Sequence, residues 1–296
     1  MLKTQIALLF CSVLALVAVL GDANGPTSAE ASTLDTITNA QSLMGDNDLD
    51  KQFIKNLPKG FALPRTETEK LLLREYGAVF VARGGAVPPT RIVFRDDAEV
   101  DEFQSSVKNT TTTISGTSVQ LQTAALNALL DAIADARKQH LSIGPRSSDS
   151  STRDYKHTVD LWASRVDPGL AYWSGKGKIT KSEAARVKKL SPFDQVPEIL
   201  GLEQRGVYFA RSLDKSIIYS VAPPGASQHL SMLALDVKEF ENAKVRAILA
   251  KHGWYQTVTS DLPHFTYIGV PEDQLPKLGL RKVENSGRIF WIPSTK

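Results

Sequence analysis

The chain has 296 residues, and its 35 lysine and arginine residues against 32 aspartate and glutamate residues give a net charge of +3 at pH 7. The charge is unclustered, so it gives no argument for nucleic-acid binding and allows only weak attraction to an anionic polymer. A single cysteine excludes a disulfide framework. The length fits one large domain or two small ones.

The first 31 residues have the three-part pattern of a secretory signal peptide. Lys3 precedes an apolar run over residues 6–20, and a small-x-small tripeptide at residues 29–31 offers a cleavage site, with earlier cleavage as an alternative. The apolar run is short for a membrane-spanning helix, and no comparable run follows it. We therefore expect a periplasmic or secreted protein with no membrane span after signal cleavage; a retained N-terminal anchor is the alternative.

Residues 32–117 are predicted to form an N-terminal α/β extension that includes a linker. The polar stretch over residues 32–64 is weakly periodic, which indicates a linker with one short helix near residues 50–56. Beyond it, the pattern predicts a helix over 67–76, strands over 78–82 and 91–94, a helix over 98–107 and a polar loop over 109–113.

The remaining chain, residues 118–296, is predicted to be one domain of the α+β class, with a small, mainly antiparallel sheet and flanking helices. Helices and strands segregate here more than they alternate. A helical insertion over residues 166–206 is expected to flank the functional site, and we expect a monomer. The predicted helices are 121–140, 152–165 and 245–252, and the predicted strands are 141–143, 217–221, 233–237, 254–255, 264–270 and 288–292.

Two histidines and an aspartate in the C-terminal half offer the ligand set of a catalytic zinc. These residues are His229, Asp236 and His264. A catalytic zinc is held by three protein groups, and its fourth position is kept for water. Asp261, three residues before His264, could accept a proton from such a water. Spacing alone leaves a purely structural role for the histidines open.

The motifs around these residues resemble the signature of the zinc D-alanyl-D-alanine peptidases. Residues 227–236 follow the pattern Ser-x-His-x-x-x-x-Ala-x-Asp, and residues 261–265 follow acid-x-x-His-Phe. The Pro-Gly-Ala-Ser-Gln-His sequence at residues 224–229 is similar to that family's approach to its first ligand. Gly-Pro-Arg-Ser at residues 144–147 is similar to its Ser-Gly-Tyr-Arg-Ser. The resemblance covers residues 121–293.

This resemblance implies a hedgehog/D,D-peptidase-like fold and a role for each matched residue. The zinc ligands that it implies are His229, Asp236 and His264. It assigns Asp261 as general base and then acid, Arg146 as the group that binds the substrate carboxylate or steadies the oxyanion, and Ser227 as a substrate-binding residue. The expected partners are peptidoglycan peptides and Zn²⁺, and no nucleic acid.

The chain departs from the family pattern at two positions, where Met232 replaces a usual glycine and Asp261 replaces a usual glutamate. We expect a secreted metallopeptidase that trims peptidoglycan stem peptides as a D-alanyl-D-alanine carboxypeptidase. An endopeptidase of the L-Ala-D-Glu type and a non-catalytic, zinc-stabilised wall-binding protein are the alternatives.

Overall fold

The computed structural model describes residues 50–294, so the predicted signal peptide and most of the predicted linker lie outside the described residues. The described chain mixes helices with small antiparallel sheets, which agrees with the α+β class. None of the helices in this part of the chain is long and apolar enough to cross a membrane.

Most of the α-helices begin at a polar residue whose side chain accepts a hydrogen bond from a backbone N–H in the first turn, as N-cap residues do. The helices are α1 (Lys51–Asn56), α2 (Glu67–Tyr76), α3 (Asp97–Ser106), α4 (Thr123–Lys138), α5 (Tyr155–Gly175), α6 (Lys181–Lys188), α7 (Gln195–Glu203) and α8 (Ala243–Lys251). The capping residues are Asp50, Thr66, Asp96, Asp154, Thr180 and Asn242. Helix α5 continues through the predicted start of the insertion at residue 166, and α6 and α7 lie within the rest of that range.

The strands form three separate antiparallel sheets rather than one. They are β1 (Asn109–Ile114), β2 (Thr117–Gln122), β3 (Ala234–Asp236), β4 (Trp254–Tyr255), β5 (His264–Tyr267), β6 (Leu280–Asn285) and β7 (Arg288–Pro293). The pairs β1–β2 and β6–β7 are two-stranded, and the third sheet has the order β3–β5–β4. The predicted last strand is therefore present, but it pairs with β6 and not with the small central sheet.

Four predicted strands are wrong. Residues 78–82 and 217–221 contain the 3-10 helices Gly77–Val81 and Ile217–Tyr219, while residues 91–94 and 141–143 have no regular structure. All four are short apolar runs. In such runs periodicity cannot separate a strand from a buried turn of helix, and burial alone explains their composition.

The predicted loop over residues 109–113 is instead strand β1, the first half of a hairpin. Its threonines are β-branched, which suits an exposed strand. Ser115 and Gly116 both have positive φ, as a two-residue hairpin turn requires. The hairpin crosses the predicted boundary at residue 117, and side chains from both sides of that boundary share one hydrophobic core.

A second, smaller hydrophobic core lies among helices α5, α6 and α7 and the loop that follows them. Trp162, Val166, Ile199, Phe209 and Ile217 are among its buried members. This helical unit supplies one wall of the cavity described below, because α5 and residues 218–222 line it.

The buried carboxyl group of Glu203, at the end of α7, ties this loop to the helical unit. Glu203 is 3% exposed and accepts hydrogen bonds from Ser216 Oγ at 2.5 Å, from the backbone N–H of Ile217 at 2.7 Å and from that of Phe209 at 3.1 Å. Burial raises the pKa of Glu203 from 4.5 to about 7, although these hydrogen bonds oppose the rise.

We predict that Glu203→Gln changes the pH dependence of stability. Because the folded pKa is raised, the contribution of Glu203 is complete below pH 4.5 and is lost as pH rises to about 7. From pH 4 to pH 8 the variant should therefore gain about 3 kcal/mol relative to the wild type. Urea unfolding at the two pH values measures this gain, with Glu284→Gln on the exposed part of β6 as the control for losing one carboxylate. The prediction would be contradicted if variant and wild type differed in unfolding free energy by the same amount at both pH values.

Candidate metal centre

Strand pairing brings the three predicted ligands together. Asp236, at the end of β3, lies directly opposite His264, at the start of β5, in the antiparallel register. His229 comes from the 3-10 helix Gln228–Ser231, and two residues separate the end of that helix from the start of β3. Two strands and a tight turn therefore hold the three side chains, and all three are at most 9% exposed.

One ligand atom from each residue points to the same place. His229 Nε2 lies 3.1 Å from His264 Nδ1, and each of these nitrogens lies 3.3 Å from Asp236 Oδ1. Among the described residues, this trio is the group whose donor atoms lie close enough together to hold a metal ion.

The hydrogen bond on the far side of His229 fixes its tautomer. His229 Nδ1 lies 2.6 Å from the carbonyl oxygen of Ser151. A carbonyl can only accept, so Nδ1 carries the hydrogen and the lone pair is on Nε2. Orientation of a ligating histidine by a carbonyl on its other nitrogen is a common feature of metal sites.

Gln228 fixes the tautomer of His264 in the same way. Its Nε2 donates to the carbonyl oxygen of Tyr76 at 2.8 Å, so its Oε1 faces His264 Nε2, also at 2.8 Å. Because Oε1 accepts, His264 Nε2 carries the hydrogen and Nδ1 presents its lone pair to the site. Thr266 Oγ1 also donates to this oxygen.

The charges at the site also favour a bound cation. Burial lowers the pKa of His229, so its imidazole is neutral at pH 7. Burial alone would raise the pKa of Asp236, but its interactions with His229 and His264 hold that pKa well below the usual range. Arg153 Nη2 also lies 2.9 Å from Asp236 Oδ2, leaving Oδ1 to face the histidines. His229 Nε2, His264 Nδ1 and Asp236 Oδ1 thus all face one point.

A cavity of about 260 Å³ opens beside the trio. Its lining combines two guanidinium groups, two carboxylates, hydroxyl groups and apolar side chains. The residues are Tyr76, Asp149, Arg153, Thr158, Leu161, Arg165, Ile218, Tyr219, Ser220, Val221, Ala222, Ser227, Gln228, His229, Val258, Ser260, Asp261 and His264. A half-open cleft with convergent polar groups next to the trio is a place where a small ligand could bind.

Two other predicted site residues, Asp261 and Ser227, line this cavity. Asp261 is exposed, and its backbone carbonyl accepts a hydrogen bond from the N–H of His264 at 3.2 Å. This turn keeps the carboxylate on the same loop as a ligand. Ser227 immediately precedes the 3-10 helix that carries His229 and is 9% exposed.

Arg146 is not among the residues that line the cavity. Its backbone N–H donates to the carbonyl oxygen of Asp236 at 2.9 Å, next to the bridge between Pro145 and Val237. Its side chain is exposed, and the guanidinium carbon lies 5.9 Å from the centre of the Phe240 ring. The turn at residues 144–147 therefore contacts the backbone of Asp236. The guanidinium of Arg146 lies near Phe240 and does not line the cavity.

Sequence reasoning missed the groups that orient the ligands and line the cavity. Arg153, Ser151 and Tyr76 had no assigned role, and Gln228 was noted only as part of a motif. Gln228 lies next to His229, so its motif was the one signal that could have found it. Ser151 and Tyr76 act through backbone carbonyls, which every residue has, so their residue types could not reveal this role.

Met232 takes the conformation that explains why glycine would suit its position. It ends the 3-10 helix in the left-handed region, with φ of 55° and ψ of 30°, and its side chain is fully buried. A left-handed residue other than glycine costs about 1–2 kcal/mol, whereas deleting a buried methionine side chain costs about 2–5 kcal/mol. Packing therefore outweighs the backbone strain.

We predict that Met232→Gly destabilises the protein by about 1–3 kcal/mol, because the lost packing exceeds the relieved strain. Met232→Ala loses nearly the same packing and keeps the strain, so it should be the less stable variant by about 1 kcal/mol. Chemical unfolding of the two variants measures this order. A glycine variant less stable than the alanine variant would contradict the account of this turn.

No family model, curated protein or solved structure matches this chain.

Proposed function

We propose that this protein is a secreted zinc metallopeptidase that cleaves peptidoglycan stem peptides, most readily as a D-alanyl-D-alanine carboxypeptidase with a hedgehog/D,D-peptidase-like fold. The observation that carries the proposal is the convergence of three lone pairs, from His229, Asp236 and His264, beside a cavity. Three lone pairs that point at one place favour a shared cation between them. The order and type of the motif residues supply the link to this peptidase family.

His229, Asp236 and His264 would hold the metal. Two imidazole nitrogens and one carboxylate suit zinc and ferrous iron better than calcium or magnesium, which take oxygen ligands. The motif resemblance selects zinc. When bound there, zinc would polarise the scissile carbonyl and lower the pKa of a water molecule toward ~7.

Residues of the chain supply the remaining functions. Asp261, on the cavity wall, can accept a proton from the attacking water and pass it to the leaving amine. Arg153 anchors Asp236 through Oδ2 and lines the same cavity, so its other N–H groups can steady negative charge on the substrate. We assign to Arg153 the oxyanion role that the motif suggested for Arg146.

An endopeptidase is the second candidate, and the position of Arg146 favours it. The preference for a carboxypeptidase depended on Arg146 as the reader of a terminal carboxylate, but its guanidinium lies against Phe240. On the other hand, residues 218–222 wall one side of the cavity, which suits a substrate that ends there. The carboxypeptidase remains the first candidate on that ground.

Digestion of purified stem peptides by the zinc-loaded mature protein tests the proposal and separates the two candidates. Mass spectrometry should show loss of one terminal D-alanine from peptides ending in D-Ala-D-Ala. Cleavage between L-Ala and D-Glu would identify the endopeptidase. If zinc-loaded protein leaves both bonds intact, the peptidase proposal fails.

A further inference from the structure

The cavity contains an arginine for which neither the fold nor the metal site accounts. Arg165 is half-buried on helix α5 and lines the cavity. Within residues 50–294 it makes no ion pair with a carboxylate, in contrast to Arg153, which pairs with Asp236. Its hydrogen bonds go to hydroxyl oxygens, from Nε to Ser220 Oγ at 3.0 Å and from Nη1 to Ser164 Oγ at 2.8 Å.

These two bonds leave much of the guanidinium group free. A guanidinium carries five N–H donors in a planar fork, so three remain after the bonds to Ser220 and Ser164. A partly buried cation without a counter-ion is costly, and an incoming anion would remove that cost. The positive charge of Arg211 makes an anion at this position more favourable. Burial lowers the pKa of Arg165, and the nearby charge of Arg211 lowers it further.

Arg165 lies on the same cavity wall as other residues of helix α5. Thr158, Leu161 and Arg165 line the cavity at helical spacing along α5, and Arg153, at the metal end, precedes that helix. Seven residues of α-helix separate Thr158 from Arg165, which is about 10 Å along the helix axis.

We propose that Arg165 binds a second carboxylate of the substrate, away from the bond that is cut but within the same cavity, and so selects acidic stem peptides. The inference rests on the proposed function, because it takes the metal trio as the place of cleavage. In a stem peptide cut at its terminal D-Ala-D-Ala bond, the third residue on the acyl side is a γ-linked D-glutamate with a free α-carboxylate. A planar guanidinium matches a carboxylate with two parallel hydrogen bonds.

The test compares two probe peptides that differ only at that carboxylate. They are acetyl-L-Ala-γ-D-Glu-L-Lys-D-Ala-D-Ala and the same peptide with the D-glutamate α-carboxylate amidated. Binding is measured by calorimetry on zinc-loaded, full-length protein in an Asp261→Asn background, which keeps the three ligands. Amidation should weaken binding about tenfold with Arg165 present, as expected for the loss of a charged hydrogen bond. In Arg165→Gln the two peptides should bind within about twofold of each other.

Two further variants separate carboxylate binding from a structural role. Arg186, on α6, pairs with Glu198 on the exposed surface and lies outside the cavity lining, so Arg186→Gln should keep the tenfold preference. Arg165→Lys keeps the charge but loses the planar fork, and it should show an intermediate preference. If Arg165→Gln lowers the melting temperature because its hydrogen bond to Ser220 is lost, Arg165→Lys still tests the preference between the two peptides.

Equal binding of the two peptides to the Arg165 protein would overturn the inference, as would an undiminished preference in Arg165→Gln or no binding of either peptide at 1 mM. The proposed function fails in a different way. If an Arg165-dependent preference appears but the zinc-loaded wild type cuts no peptide, the anion site stands and the peptidase does not. If the wild type cuts both peptides equally well and binds them alike, the peptidase stands and the role of Arg165 does not.

Discussion

Asp261→Asn should lower the rate of stem-peptide cleavage by about 10²–10⁴-fold and leave one zinc bound per chain. The factor is the usual contribution of a general acid–base residue. Asparagine has nearly the same size but cannot accept the proton. Asp261 lies on the cavity wall outside the ligand trio, so its loss should spare the metal. Peptide turnover followed by chromatography, with metal analysis of the same sample, measures both quantities.

Asp273→Asn is the matched control for Asp261→Asn. Asp273 lies in the first turn of the 3-10 helix Glu272–Leu278, is exposed and does not line the cavity. The control variant should cleave peptides at the rate of the wild type. If Asp261→Asn also cleaves at that rate, another group must move the proton, and the role assigned to Asp261 would be wrong.

His229→Ala should abolish the stabilisation of the fold by zinc. In the wild type, free zinc at 100 times its dissociation constant should stabilise the native state by about 2.7 kcal/mol. For a chain of this size, that corresponds to a rise of roughly 5–10 °C in melting temperature. Removing one of three ligands should eliminate most of this rise. Melting curves with zinc and with a chelator, for wild type and variant, give the comparison.

His140→Asn controls for the general effect of removing an imidazole. His140 follows helix α4 with a positive φ of 56°, a conformation that asparagine tolerates, and it is exposed. This variant should keep the full zinc-dependent rise. An equal rise in His229→Ala would place the stabilising zinc at another site.

The trio could be predicted from sequence because its members belong to compact motifs. Asp236 and His264 lie in apolar strand patterns whose pairing sets them opposite each other, and His229 precedes the first of those strands by a single turn. Residue type and pattern therefore predicted both the metal-binding side chains and their approximate positions. The coarse fold class followed from the same segregation of helices and strands.

The different positions of Arg146 and Arg153 could not be predicted from sequence. Both arginines follow the same short segment after α4, seven residues apart. The bridge between Pro145 and Val237 fixes the backbone at Arg146 and turns its side chain toward Phe240. The chain then returns to the site, so that Arg153 contacts Asp236. Such a path depends on long-range pairing, which a local pattern does not contain.

The sequence pattern also could not predict the conformation of the cavity wall. Residues 217–221 have the composition of a strand, but Ile217–Tyr219 is a 3-10 helix. Tertiary hydrogen bonds decide this, because Glu203 accepts from the N–H of Ile217 and Tyr76 donates to the carbonyl oxygen of Ile218. Both partners are distant in sequence. They replace the ladder bonds that a strand would have needed.

X-ray absorption of the zinc-loaded protein tests the central claim most directly. We predict one zinc per chain with two imidazole nitrogens at about 2.0–2.1 Å and carboxylate or water oxygens at about 2.0–2.2 Å. His264→Ala should remove one of the two imidazole contributions. A spectrum with only oxygen ligands, or one that His264→Ala leaves unchanged, would contradict a zinc centre built from His229, Asp236 and His264.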